Sequence, residues 1–217
     1  MKARKIKASE IPDWYEFNLC EDFPVNEVKP LDNILKLCED GRYDIFCYFD
    51  EAECSEHARK GMGYATIWKA PGADTYLLDY LGVPRAFRNQ GLGAKILRDI
   101  RNQVFMDEVK AGKYSPDDSE SEFCLIVESE TPLEEGDAEE NLLRKRRCEF
   151  YRRNGYVKVY EMGTCGVRFD AMVFEKAPKD LEKVMREHKK IYGVEREDVI
   201  VPLGKNQAAP LPFWMKK

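Results

Sequence analysis

A short glycine-bearing segment of the chain combines the residue types that bind phosphate. It reads Arg88-Asn89-Gln90-Gly91-Leu92-Gly93-Ala94 and lies between an apolar run and a run with helical spacing. The start of a helix exposes unpaired backbone N–H groups and the positive end of the helix dipole, and glycine lets a phosphate approach that backbone. The segment therefore predicts a pyrophosphate-binding turn that acts mainly through backbone N–H groups. A plain strand-to-helix turn is the simpler structural interpretation.

Two common phosphate-binding loops do not fit this segment. A dinucleotide fingerprint needs a third glycine where Ile96 stands. A Walker A loop needs four residues between its glycines and a Ser or Thr after its Lys, and Ala94-Lys95-Ile96 offers neither. The turn therefore belongs to neither of these classes of nucleotide-binding protein.

The elements that must position this turn follow from hydrophobic periodicity and turn residues. Strands are predicted at residues 3–8, 43–49, 63–68, 75–83, 123–127, 156–160 and 167–174. Helices are predicted at residues 11–23, from about 30 to a terminating glycine at 41, at 93–105, in a segment ending near residues 154–155, and at 180–192. The order β-α-α-β-β-β-α-β-α-β-β predicts a mixed α/β fold with helices covering a largely antiparallel sheet.

Composition bounds the class of protein. The 217 residues are 43% hydrophobic, which predicts one compact domain, and no apolar run is long enough for a signal peptide or a membrane span. We therefore expect a cytoplasmic protein without a membrane partner. The net charge of -5 argues against a nucleic-acid partner, and the basic run at residues 143–153 is interpreted as a solvated helix face.

The cysteine and histidine pattern argues against a metal site. The chain has seven cysteines and two histidines, and neither His57 nor His188 has metal-ligand spacing to a cysteine or to the other histidine. We expect free thiols and no metal. Cys124, although it lies on a predicted central strand, is interpreted as a core residue.

Two motifs in this order resemble the GNAT superfamily of N-acetyltransferases. The first is the segment above, in which Arg88, Gly91 and Gly93 match the cofactor signature of that family. The second is Phe150-Tyr151-Arg152-Arg153-Asn154-Gly155-Tyr156, which is similar to the end of the family's late helix. The resemblance covers about residues 75–174. It departs from the family at Arg144 and Arg147, where members often have Asn and Ala.

The resemblance implies a fold and a reaction. The fold would be a single GNAT domain over residues 1–217, with a core at about 1–176, two splayed central strands, and a C-terminal helix and tail at 177–217 that cover an edge or form a homodimer contact. The reaction would be direct acetyl transfer from acetyl-CoA to a primary amine. Extended backbone at Leu81 and Val83 would hold the pantetheine arm, and residues 88–94 would hold the pyrophosphate.

The same resemblance assigns an acid, and the reaction requires a base. Tyr151 would protonate the departing sulfur, and Arg147, one helical turn earlier, would lower its pKa by favouring phenolate. Glu128 and Asp79 both lie on the strands expected to splay. Glu128 is preferred as the base because it stands at the predicted end of its strand, whereas Asp79 lies within a buried strand and fits a paired structural carboxylate equally well. A structural role is open for both carboxylates, and for Tyr151 as a core tyrosine before a helix-terminating glycine.

The identity of the acceptor is less constrained. Glu21, Asp22 and Glu27 stand between the first two helices and favour a cationic amine, either a small molecule or a peptide. Two other functions remain open at this point. One is a non-catalytic acyl-CoA-binding module, which retention of Tyr151 argues against. The other is an acidic interaction domain without cofactor, which acetyl-CoA would not stabilise against heat.

Overall fold

The fold is described from a computed structural model. It describes residues 1–25, 27–50, 61–115, 123–133, 137–175 and 178–212. His57, Cys54 and most of the predicted connection at residues 50–60 lie outside these ranges. The chain divides into two compact units, one of Met1–Lys69 and Leu78–Asp118 and the other of Ala70–Leu77 and Ser119–Lys217. That the whole chain forms one domain stays a prediction.

The first unit is built on antiparallel strands. Its strands are β1 (Lys2–Lys5), β2 (Tyr43–Phe49), β3 (Gly63–Lys69) and the larger part of β4 (Thr75–Gly82). Its helices are α1 (Ile11–Trp14), α2 (Cys20–Asp22), α3 (Leu31–Glu39) and α4 (Leu92–Lys110). A π-helical segment, Tyr15–Leu19, joins α1 to α2. Strand β2 pairs with β1 and with β3, and α4 buries Ile96, Leu97 and Ile100.

The second unit has the strand order β5-β7-β6-β8, again antiparallel. Its strands are β5 (Cys124–Glu130), β6 (Tyr156–Thr164), β7 (Val167–Phe174) and β8 (Val199–Ile200). Its helices are α5 (Ala138–Arg153) and α6 (Leu181–Tyr192). The N-terminus of α5 is capped by Asp137, whose side chain accepts a hydrogen bond from the Glu140 N–H at 2.7 Å.

The predicted fold class is confirmed: the protein is mixed α/β, with an open multi-strand sheet flanked by helices. Helix α3 ends as expected, because Asp40 closes it and Gly41 follows at a φ of 67°. Four predicted ends are wrong: β1 ends at Lys5, whereas α4, β5 and β6 continue to Lys110, Glu130 and Thr164. Strand β5 is longer because it pairs with β7 as far as Phe169. The first helix keeps its predicted range but contains the π-helical segment. The splaying of the two central strands stays a prediction.

The tail beyond α6 covers an edge strand, which is one of the two roles that the sequence left open. Strand β8 pairs with Gly163 and Thr164 at the end of β6, and the Leu203 N–H donates to the Glu161 carbonyl at 2.7 Å. Arg168 on β7 fastens the same tail: its guanidinium forms an ion pair with Glu161 and donates to the carbonyl of Gln207 at 2.6 Å. Backbone pairing and the Arg168 side chain therefore both contribute to holding the tail.

Replacing Arg168 by alanine should loosen this tail. We expect the free energy of unfolding to fall by about 2 kcal/mol, since a hydrogen bond to a charged group contributes about 1.5–3 kcal/mol and this side chain is partly exposed. Denaturant unfolding measures the loss. The control is Arg186→Ala, which breaks a pair with Glu182 whose side chains are 64% and 85% exposed and should cost under about 0.5 kcal/mol. Equal losses in the two variants would contradict the assigned role of Arg168.

The described residues contain no membrane-spanning helix, no metal-binding cluster and no disulfide. None of their helices is both long and apolar enough to cross a bilayer. No group of three or more His, Cys, Asp or Glu side chains in these ranges is arranged to hold a metal ion. Six cysteines are described, and all six are unbridged.

Candidate active site

The predicted phosphate-binding turn lies between β4 and α4. Strand β4 ends at Gly82, where a Cβ atom would lie 2.1 Å from the Tyr64 ring, so only glycine lets that ring pack here. A 3-10 turn, Arg85–Phe87, follows, and Gly91 begins α4 with a φ of 76°. This left-handed conformation suits glycine and is strained for residues that carry a Cβ. The local sequence therefore dictates the turn.

Two side chains of this turn form hydrogen bonds with residues outside it. Arg88 donates through Nε to the Val83 carbonyl at 2.8 Å and through Nη2 to Asp22 at 2.8 Å. Gln90 donates to the Ala86 carbonyl at 3.2 Å. The Arg88 side chain thus joins the end of β4 to α2 and shapes the loop from within.

The front of the turn is open. No side chain within the described ranges caps α4, and its first turn carries no acidic residue. The N–H groups of Leu92, Gly93 and Ala94 lie in the first turn, where a helix offers them no acceptor. A Cβ atom added at Gly91 would meet nothing within 4 Å. This space beside unpaired N–H groups fits a pyrophosphate, which supports the predicted cofactor turn. The Arg88 Nε–H occupies one lone pair of the Val83 carbonyl, so a backbone contact of Val83 with the pantetheine arm would use its second lone pair or its N–H group.

Asp79 belongs to a structural cluster in the first unit. Its Oδ1 lies 2.6 Å from the Lys29 Nζ, and its Oδ2 accepts the Tyr43 hydroxyl at 2.5 Å. Burial first, and then the Asp79 charge, raises the pKa of Tyr43 well above its ordinary value, so that phenol remains a donor. Lys29 also lies 4.6 Å above the Trp68 ring. Asp79 is thus paired with an ammonium group, which favours its structural interpretation over its role as a base.

Glu128 lies on β5 in the second unit and is held by two side chains of α6. Its Oε1 is 2.7 Å from His188 Nε2, and its Oε2 accepts the Tyr192 hydroxyl at 2.7 Å. The other ring nitrogen of His188 lies 2.9 Å from the Tyr160 hydroxyl. Glu128 retains 13% exposure, whereas His188 has none. The prediction that Glu128 stands at the end of its strand is wrong, because β5 continues to Glu130. Its carboxylate nevertheless keeps accessible surface.

Tyr151 lies near the end of α5, half-buried among aromatic rings. The Phe150 ring is 5.3 Å away and the Tyr156 ring 5.9 Å. Burial raises the pKa of Tyr151 to about 12, and the positive charge of Arg147 opposes that rise without cancelling it. The expected lowering of the pKa is therefore wrong in its net direction. No described residue forms a hydrogen bond with the Tyr151 hydroxyl.

A cleft adjoins the phosphate turn in the first unit. It has a volume of about 410 Å³ and is lined by Phe17, Glu21, Asp22, Pro84 and Arg85. Of the acidic residues predicted to attract a cationic acceptor, Glu21 and Asp22 line this cleft and Glu27 does not. Asp22 is paired with Arg88, which reduces the charge available to a ligand.

The predicted site residues are distributed over both units. In the first unit, the turn at residues 88–94 adjoins the cleft, whereas Asp79 is bonded to Lys29 and Tyr43. In the second unit, Glu128 and Tyr151 share no hydrogen bond. Sequence reasoning missed His188, Tyr160 and Tyr192, since it tested the histidines only for metal spacing, and the bond from His188 to Glu128 spans 60 positions.

By sequence, the chain matches no protein-family model and no curated protein. Solved structures are similar to it in fold. An acetyltransferase of the GNAT family from Bacteroides thetaiotaomicron matches with a TM-score of 0.61 at 22% identity, over 90% of this chain and 100% of that chain. A spermidine N-acetyltransferase from Vibrio cholerae matches with a TM-score of 0.51 at 8% identity, over 80% and 92%. The structure of AtaTR bound with acetyl-CoA matches with a TM-score of 0.50 at 15% identity, over 80% and 91%. The chain therefore has the fold of the GNAT acetyltransferases.

Proposed function

We propose that this protein transfers the acetyl group of acetyl-CoA to a primary amine. The observation that carries the proposal is the open N-terminus of α4, where uncapped N–H groups, no acidic side chain and free space beside Gly91 come together. Such a turn suits a pyrophosphate. Among the proteins of similar fold, one has acetyl-CoA bound and another is a spermidine N-acetyltransferase.

The reaction divides into steps that the chain's own residues can perform. Residues 88–94 bind the pyrophosphate through backbone N–H groups, and extended backbone at Leu81 and Val83 orients the pantetheine arm. Glu128 takes a proton from the acceptor ammonium, which frees the nitrogen lone pair for attack on the thioester carbonyl. The C–N bond then forms, the C–S bond breaks, and Tyr151 donates its proton to the departing thiolate. The nitrogen loses its second proton to solvent as the amide forms, and solvent returns a proton to the Tyr151 phenolate.

The acceptor in this proposal is a cationic amine. Glu21 lines the cleft beside the phosphate turn, and the chain as a whole carries a net charge of -5. An acidic lining attracts the ammonium form in which amines exist near neutral pH. We propose that Glu21 and Asp22 together supply this attraction, although Asp22 is also paired with Arg88.

Thermal unfolding with and without acetyl-CoA, followed by a screen of amine acceptors with thiol release as the readout, tests the proposal. At a concentration about 100-fold above its dissociation constant, acetyl-CoA should raise the free energy of unfolding by about 2.7 kcal/mol. NAD, a pyrophosphate without a pantetheine arm, is the matched ligand control and should stabilise less. Thiol should be released with polyamines and peptide amines as acceptors and should not be released with polyanions.

Two outcomes would contradict the proposal in different ways. Without any stabilisation by acetyl-CoA, the protein is an interaction domain that binds no acyl cofactor. Stabilisation without thiol release from any amine identifies a non-catalytic acyl-CoA-binding module.

A further inference from the structure

A chain of hydrogen bonds runs through the second unit and ends at Glu128. Tyr160 on β6 meets Nδ1 of His188, Nε2 of His188 meets Oε1 of Glu128, and Tyr192 meets Oε2. The three contacts measure 2.9, 2.7 and 2.7 Å. His188 has no exposed surface, so water cannot supply an alternative partner to either ring nitrogen. Both nitrogens are therefore committed to these protein groups.

The directions of the hydrogen bonds follow from the types of group. An ionised carboxylate only accepts, so the Tyr192 hydroxyl donates to it. Burial raises the pKa of Tyr160 above its ordinary value, and burial raises the pKa of the neighbouring Cys124 thiol to about 12, so both remain protonated. If Tyr160 donates to Nδ1, then Nε2 carries the imidazole proton and donates to Glu128. This arrangement satisfies every polar atom with a neutral His188 and an ionised Glu128.

The opposite tautomer satisfies fewer groups. With the proton on Nδ1, the Nε2 lone pair would face a carboxylate oxygen at 2.7 Å, which is repulsive unless Glu128 is itself protonated. The Tyr160 proton would also need another acceptor, and no other hydrogen bond of this hydroxyl is found within the described ranges. Glu128 and Tyr160 therefore both favour the tautomer in which His188 donates to Glu128.

We propose that His188, set in one tautomer by Tyr160 and Glu128, acts with Tyr192 to position Glu128 as the base that takes the acceptor's proton. The inference rests on the proposed acetyl transfer. Each carboxylate oxygen accepts one hydrogen bond and retains a lone pair, and 13% of the side chain is exposed. The proton leaves the ammonium nitrogen, binds one of these lone pairs, and returns to solvent after product release. His188 keeps its single proton throughout, so it is a positioning residue.

The alternative is a purely structural role, in which the same contacts only dock α6. His188 and Tyr192 are four positions apart and so share one face of that helix. A docking role predicts that substitutions lower stability and leave turnover intact. Positioning of the base predicts a loss of kcat, because an acid–base group must be held at the right geometry.

The first test measures the tautomer directly. The chain has two histidines, so nitrogen-15 NMR of the imidazoles should show two sets of signals, and His57→Gln identifies those of His188. We expect the neutral Nε2–H form in the wild type, and in Tyr160→Phe the same tautomer with a shifted Nδ1 resonance, because Nδ1 loses its hydrogen bond while Nε2 still faces Glu128. A protonated His188, or the Nδ1–H form in the wild type, would overturn the inference whatever the activity.

The second test measures turnover. Tyr160→Phe and Tyr192→Phe should each lower kcat about 10-fold with an unchanged KM for acetyl-CoA, a fraction of the 10²–10⁴ that a general base contributes. In a Glu128→Gln background, Tyr160→Phe should have no further effect, because both changes act through one group. The matched control is Glu187→Gln. Glu187 is buried on the same helix, but it bonds to the Asp74 N–H and the Thr75 hydroxyl, so its loss should lower stability and spare kcat.

The outcomes separate this inference from the proposed function. If the wild type transfers acetyl groups and Tyr160→Phe and Tyr192→Phe turn over as well as it does, the positioning role is wrong and the proposed function stands. If the wild type transfers nothing to any amine, the proposed function fails and the positioning role fails with it. In that case the tautomer result would stand as a structural fact.

Discussion

Replacing Gly91 by valine should weaken the binding of acetyl-CoA about 100-fold or more. A Cβ atom at this position would enter the open space beside the first turn of α4, where the pyrophosphate is proposed to lie. The branched side chain would keep the phosphate away from the backbone N–H groups. Hydrogen bonds to a charged group contribute about 1.5–3 kcal/mol each, so the loss of two bonds costs at least about 3 kcal/mol. Isothermal titration calorimetry measures the affinity.

The substitution also strains the backbone, because Gly91 has a φ of 76°. The cost should be about 1–2 kcal/mol of stability, so the fold is weakened but retained. Gly112 provides a matched control at the other end of α4, since its φ is 77° and a Cβ there also meets nothing within 4 Å. Gly112→Val should cost similar stability and bind acetyl-CoA as the wild type does. Equal affinities of the two folded variants would remove the basis for the assigned phosphate turn.

Most of the fold could be predicted because its signals are local. The apolar strands and the helical spacing of α4 depend on neighbouring residues, and so does the glycine that ends α3. The first helix shows where periodicity fails. Asn18 and Leu19 are buried in the wider turn of the π-helical segment. A hydrophobic repeat of 3.6 residues per turn cannot reveal a turn that contains an additional residue.

Strand β5 was predicted too short for a different reason. The residues Glu128, Ser129 and Glu130 are polar and read as a loop, yet their backbone continues to pair with β7. Glu130 is accommodated there because Arg144 on α5 lies 3.2 Å from its carboxylate. Arg144 stands where the family pattern often has Asn, and its ion pair with Glu130 gives the arginine a role at this position. A bond between a strand and a later helix has no signature in the local sequence.

In the candidate site, too, local features could be predicted from the sequence and tertiary contacts could not. The turn between β4 and α4 is local, and the sequence predicts its position. The partners of Glu128 come from β6 and α6 and meet only through tertiary folding. The side chain of Arg88 could not be placed either, since its partner Asp22 is 66 positions away.

The raised pKa of Tyr151 determines how it can act as an acid. An ordinary thiol has a pKa near 8.5, so full proton transfer from a phenol of pKa about 12 to a thiolate is uphill by about 5 kcal/mol. Proton transfer must therefore be coupled to breaking of the C–S bond, whose free-energy release offsets this cost. The same shift keeps the hydroxyl protonated, so kcat should show no loss of this acid below about pH 10.

Replacing Tyr151 by phenylalanine should lower kcat by about 10²–10⁴-fold and leave the affinity for acetyl-CoA nearly unchanged, because the change removes only the proton donor. Stability should fall by less than about 0.5 kcal/mol, since no described residue bonds to this hydroxyl and the ring contacts with Phe150 and Tyr156 persist. Tyr156→Phe is the control: it alters a tyrosine of the same aromatic cluster and should keep kcat. Single-turnover kinetics and thermal unfolding measure both quantities. A Tyr151→Phe protein that melts earlier yet turns over like the wild type would make Tyr151 a core residue, and the sulfur would then take its proton from water or another group.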